Sequence, residues 1–216
     1  HGKLRISGSR IESEGTALEH KGKEAVKIEG SEVAGVEGLV LISGETEAEG
    51  SEIEGIKTGI EIRERADVEL RGVKVSGGET GIKVEGARKR ELEGIEIKSE
   101  GTAIEVDGSE VEIRGSVIEG TGRIKGTGTI EIIDSEVGEI KAEGIGRGLV
   151  EGSRLKAEKI EIGESGEIEI RRTEAEIEEG IEVSEHGKLR ISGSRIESEG
   201  TALEHKGKEA VKIEGS

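Results

Sequence analysis

Eight residue types are missing from this chain of 216 residues: proline, cysteine, methionine, phenylalanine, tyrosine, tryptophan, asparagine and glutamine. Without cysteine there is no disulfide framework, no thiolate ligand and no sulfur nucleophile, and the redox setting leaves no mark. Without aromatics or amides, the flat platforms and amide hydrogen bonds that sugar sites usually offer are gone. Average usage would put about 5% proline, roughly 11 residues, in a chain of this length. The joint absence reads like an idealised or designed sequence that follows simple rules of patterning and propensity. Long apolar runs are missing as well. No stretch of about 18 apolar residues offers a helical membrane span, and no signal-peptide pattern or other targeting signal is visible, so localisation is left open beyond consistency with soluble recombinant expression.

Positive charge is outnumbered. Lys and Arg total 32 against 49 Asp and Glu, a formal net charge of −17. The basic residues are interleaved with glutamate, which argues against nucleic acid as a partner, because phosphate recognition needs clustered Lys and Arg. Low hydrophobicity with high charge is also the composition of disorder. Periodicity decides against that.

A six-residue frame, apolar-x-Gly-Ser-x-apolar, starts at Ile6 as ISGSRI and returns along the chain as IEGSEV, AEGSEI, LRGVKV, LEGIEI and further variants. Its first residues are Ile6, Ile28, Ala48, Leu70, Leu92, Ile113, Ile132, Val150, Ile170, Ile191 and Ile213, spaced by 18 to 22 residues. Between these anchors apolar and charged residues alternate, as in Glu110-Val111-Glu112-Ile113, which is the period of a strand. Glycine recurs too often for a stable helix. Two residues after each anchor stands Gly8, Gly30, Gly50, Gly72, Gly94, Gly115, Asp134, Gly152, Arg172, Gly193 or Gly215. Such a column predicts a tight bend with positive φ. Arg172 departs from it, so an irregular turn is expected there. A second strand signal follows as TAL at 16, TGI at 58 and 80, and TAI at 102.

Anchors, Gly bend and following strand together resemble the right-handed parallel β-helix, the coil repeat of pectate-lyase-like proteins. The resemblance covers nearly the whole chain and implies an all-β, single-stranded β-solenoid of about ten coils of 18–22 residues, with residues 1–216 as one domain. Leucine-rich and hexapeptide repeats fit worse, because neither their motif nor a period divisible into sixes is present. Stacked at about 4.8 Å, ten coils would make a rod roughly 48 Å long. Members of this family usually add stacked Asn at bends and a cap at each end; neither is visible in this sequence. Open strand edges leave the ends available for end-to-end self-association.

Catalytic groups do not gather. Polysaccharide-cleaving β-helices carry clustered Asp, or a calcium site with a Lys or Arg base, whereas Asp67, Asp107 and Asp134 fall in three different registers here. No enzyme activity, no catalytic residue, no cofactor and no small-molecule ligand is expected. One ordered acidic column precedes the anchors: Glu47, Glu69, Glu91, Glu112 and Glu131. Stacked carboxylates would repel by about 0.9 kcal/mol per pair in water, so weak binding of a divalent cation is one reading. Arg71 and Arg114, two residues along from Glu69 and Glu112, favour the other, a solvated and charge-compensated surface.

His1, His20, His186 and His205 have no second His at ligand spacing and read as neutral surface residues. Ser9, Ser31, Ser51, Ser116, Ser135, Ser153 and Ser194 form a bend column that reads as structural. Thr16, Thr58, Thr80 and Thr102 form a file that Gly38 interrupts, weak support for an ice-binding array. The stretch EGTGRIKGTG, 119–128, lacks the Lys-Ser/Thr ending of a phosphate loop.

Residues 186–216 repeat residues 1–31 letter for letter. Surface positions do not demand this, since most substitutions there cost within about 0.5 kcal/mol. Either a coil and a half was reused, or the pattern repeats every 185 residues. Both versions predict the same coil conformation for the two segments. The function expected from this reading is a structural scaffold whose role is the β-helix itself. A head-to-tail fibre module is the alternative, and a carbohydrate-active or carbohydrate-binding β-helix ranks behind both.

Overall fold

Alternation of apolar and charged residues buries one side of each strand, and the bends turn the chain back over itself. The computed structural model describes residues 3–86, 89–125, 127–143, 146–163, 165–206 and 211–215. Among these residues all regular structure is strand, in one continuous sheet whose pairings are all parallel. The sheet wraps into a solenoid with three faces. Leu4–Ser7 begins the first face, Arg10–Glu12 the second and Thr16–His20 the third; Val26–Glu29 then stacks on Leu4–Ser7. Longer strands such as Glu32–Glu49 run around the bends and contribute to all three faces in turn.

The anchors read from the sequence form one column. Ile6 pairs with Ile28, Ile28 with Ala48, Ala48 with Leu70, Leu70 with Leu92, and so on through Ile113, Ile132, Val150, Ile170 and Ile191 to Ile213. From Ile28 to Ile191 the anchors are buried, so the column packs aliphatic on aliphatic, with Ile53, Ile97 and Leu155 from the second face and Leu39, Ile60 and Ile160 from the third. Stacking is the only way such a coil can hide these residues, because one coil has no interior of its own.

The bend column is regular throughout. Gly8, Gly30, Gly50, Gly72, Gly94, Gly115, Gly152, Gly193 and Gly215 have φ between 50° and 61°. Asp134 and Arg172 take the same conformation, at 50° and 48°. The irregular turn expected at Arg172 is therefore corrected. Its N–H donates to the Ser192 carbonyl at 3.0 Å, as the Gly193 N–H donates to that of Glu214. A Cβ in this region costs about 1–2 kcal/mol, and the hydrogen bonds of the coils on either side impose the conformation regardless.

Candidate functional site: the stacked polar columns

The bend serines are built into the wall. Each hydroxyl donates to the carbonyl two residues before it, for example Ser31 to Glu29 at 2.9 Å, Ser116 to Arg114 at 2.8 Å and Ser153 to Glu151 at 2.9 Å. The same oxygen accepts an N–H from the preceding coil: Ser9 N to Ser31 Oγ at 3.2 Å, Ser31 N to Ser51 Oγ at 3.2 Å, Ser135 N to Ser153 Oγ at 3.2 Å. Thr173 joins this ladder between Ser153 and Ser194. The serine reading missed it, although its position three residues after an anchor marks it. The ladder stands where the family resemblance would place stacked Asn, and each hydroxyl proton is already given to a backbone carbonyl rather than to a base that could activate the oxygen as a nucleophile.

The acidic column is also real as a stack. Glu47 pairs with Glu69, Glu69 with Glu91, Glu91 with Glu112 and Glu112 with Glu131. Its continuation was not read from the sequence, although the position before each anchor reveals it. Arg5 and Lys27 precede Glu47, and Leu149, Glu169, Arg190 and Lys212 follow Glu131. Basic residues thus flank the carboxylates at both ends of the rod. Lys27 Nζ donates to Glu47 at 3.0 Å, Arg71 contacts Glu69, and Lys89 Nζ lies 3.6 Å from Glu91 and 2.6 Å from Glu112.

Glu112 corrects the picture of a uniformly solvated column. It is buried beneath Lys89 and Arg114. The Lys89 ammonium holds its carboxyl below the usual carboxylate range, with Arg114 helping and burial opposing. Around Asp67, Glu69, Arg71, Lys89, Glu91 and Glu93 the surface forms an open groove of mixed charge. Among the described residues no three His, Asp or Glu side chains converge on a metal-binding point.

The remaining candidates separate in space. Asp67 pairs with Glu45, Asp107 with Glu85, and Asp134 sits at a bend. In the threonine file Glu37, not Gly38, stands between Thr16 and Thr58, and Thr121 extends it beyond Thr102. Thr16 Oγ1 donates to Glu37 at 2.8 Å. The stretch 119–128 is strand through Lys125, and Gly126 lies outside the described residues.

Among the histidines, His186 and His205 are exposed as expected, whereas His20 is buried, 7% exposed. Its Nδ1 lies 3.0 Å from Thr46 Oγ1. Gly44 makes the room, since a Cβ there would come within 2.7 Å of the imidazole. His1 lies outside the described residues. One buried polar group had no place in the sequence reading at all. Arg90, 1% exposed, occupies an inward position two residues before its anchor and donates from Nη2 to the Arg63 carbonyl at 3.3 Å.

Comparison with known proteins agrees with this geometry. The family described as "Right handed beta helix region" matches residues 16–148. Among solved structures, the crystal structure of the tailspike protein gp49 from Pseudomonas phage LKA1 is similar over 98% of this chain, with a TM-score of 0.73 and 14% identity. This chain spans 46% of that one, a little under half its length. No curated protein matches the sequence. With more than half of its length matched and its strands wound in parallel coils, the chain belongs to the right-handed β-helix family.

Proposed function

We propose that this protein is a structural scaffold, an idealised or designed rod whose role is the β-helix itself and which catalyses no reaction. One observation carries the reading: its repeated polar columns are consumed by pairing within and between coils. The bend hydroxyls bond the wall, and the carboxylates before the anchors lie against Lys27, Arg71, Lys89 and Arg114. An active site would be a local break in this regularity, with groups turned toward a shared point. Arg90 and His20 do break it, but both face inward among aliphatic side chains, where no substrate reaches them. Nucleic acid and small-molecule ligands are outside this reading.

The second reading is a fibre module joined head to tail. The exposed aliphatic residues at the rod ends, Leu4 and Ile213, favour it. Sedimentation with far-UV circular dichroism across a wide dilution series separates the two. An elongated, strand-rich monomer at every concentration is the expected result for a scaffold. Growth in size with concentration selects the fibre module, and a disordered spectrum overturns both.

A further inference from the structure

The two identical segments sit in complementary surroundings. In the first copy the described residues, 3–31, lie under the strand Glu32–Glu49, with Ile11 against Val33, Leu18 against Leu39 and Ile28 against Ala48. In the second copy the same three residues are Ile196, Leu203 and Ile213. They line an open apolar cavity of about 290 Å³ at the far end of the rod, together with Ile181 and Ile191. The molecule therefore carries, at its own beginning, the cover that fits its end.

We propose that residues 186–216 of one copy displace residues 1–31 of a second copy and seat beneath that copy's Glu32–Glu49 strand, joining two rods into one uninterrupted helix. This rests on the reading of the chain as a self-supporting rod and gives the fibre alternative a mechanism. The register is already defined within one chain. Lys212 comes to stand beside Glu47 as Lys27 does at 3.0 Å. Arg195 stands beside Glu32 as Arg10 does at 3.5 Å, and Thr201 beside Glu37 as Thr16 does at 2.8 Å.

Simple butting of the two ends is poorer. It places Arg10 over Arg195 and Glu12 over Glu197, like charge on like charge at strand spacing. Exchange avoids that and conserves contacts. Before joining, each segment makes one interface with the body of its own chain. Afterwards a single segment makes both, two open ends vanish and one 31-residue segment is released with its conformational freedom. What is lost is the internal pairing of the released segment, Leu4–Ser7 on Val26–Glu29.

The test uses the full chain, whose lack of cysteine makes engineered disulfides unambiguous. Glu12 pairs with Ala34 within one chain, so the exchanged segment brings Glu197 beside Ala34 of the second copy. In a single copy these two positions lie about eight coils, roughly 38 Å, apart, and no disulfide can join them. The variant Ala34→Cys with Glu197→Cys, warmed under mild oxidation, should lose its monomer band to a ladder of reducible oligomers. One 31-residue segment per junction should become cleavable by protease. A companion variant, Glu12→Cys with Glu197→Cys, reports butted ends. Linking of the companion alone overturns exchange, as does a strand-rich protein in which neither pair links. A disordered circular dichroism spectrum fails the rod reading itself and the exchange with it.

Discussion

Residues 1–31 and 186–216 are the same words in two places, and the structure treats them differently. Leu4 is 49% exposed while its twin Leu189 is 1% exposed. Toward the other end of the segment the order reverses, with Ile28 at 0% and Ile213 at 54%. Each copy packs against the rod through the half that the other copy leaves open. Conformation is shared, since Ile6 pairs with Ile28 as Ile191 pairs with Ile213. Environment is not. Local sequence sets the coil, and position along the stack sets what the coil is worth.

Truncation of the same residue in both copies tests this most strongly. Leu189→Ala and Ile28→Ala should each destabilise by about 2–5 kcal/mol, while Leu4→Ala and Ile213→Ala should stay near about 0.5 kcal/mol. Denaturant midpoints of the four variants give the comparison. Equal losses for Leu4 and Leu189 would mean that the first coil is covered in solution.

Bend glycines should ignore the difference. Gly8 and Gly193 have φ of 53° and 55°, so alanine meets the same backbone penalty at both, about 1–2 kcal/mol. A clear gap between the two variants in thermal unfolding would show that burial reaches the bends.

Histidine gives a smaller contrast with an inverted sign. His20 is buried with Nε2 unpartnered among the described residues, stacked beneath Leu41, whereas His205 is exposed. His20→Leu combined with Thr46→Val removes both buried partners from an aliphatic interior and is expected to stabilise by about 1 kcal/mol. His205→Leu is expected to change stability within about 0.5 kcal/mol. Destabilisation by the double variant would assign the His20–Thr46 hydrogen bond a larger share than packing.

The smallest effect is electrostatic. Lys21 pairs with Glu19, whereas its twin Lys206 contacts Glu182 of the coil before it. Glu182 is held down to about 2, chiefly by Lys159 and then by Lys206, from an ordinary value of 4.5. A carboxylate lowered in the folded state stabilises fully above its unfolded value, and that contribution fades as pH falls from about 4.5 towards 2. Lys206→Ala should reduce the acid-sensitive part of stability between those limits, and Lys21→Ala should leave it as it is. Unfolding followed at pH 6 and at about pH 3 reads the difference.

Much of the fold was legible because stacking is periodic. The anchor spacing alone places Ile6 through Ile213 in one column, and the Gly column alone predicts the left-handed bends. The Arg172 bend was misjudged because residue preference is a local term, and the hydrogen bonds of neighbouring coils override it. Register slips defeated the threonine file. Between Gly35 and Glu37 the pairing shifts, so counting ten residues from the anchor lands on Gly38 while the stack holds Glu37. The burial of Glu112 and Arg90 was hidden for another reason: it depends on which side chains from adjacent coils close over them.

The sequence by itself determined the strands, the bends, the coil length and the column order, since alternation, glycine placement and spacing act within one coil or between adjacent ones. Only the tertiary structure decided which copy of an identical residue is core and which is surface. Burial depends on whether a neighbouring coil lies above as well as below, and nothing within residues 1–31 can encode that twice.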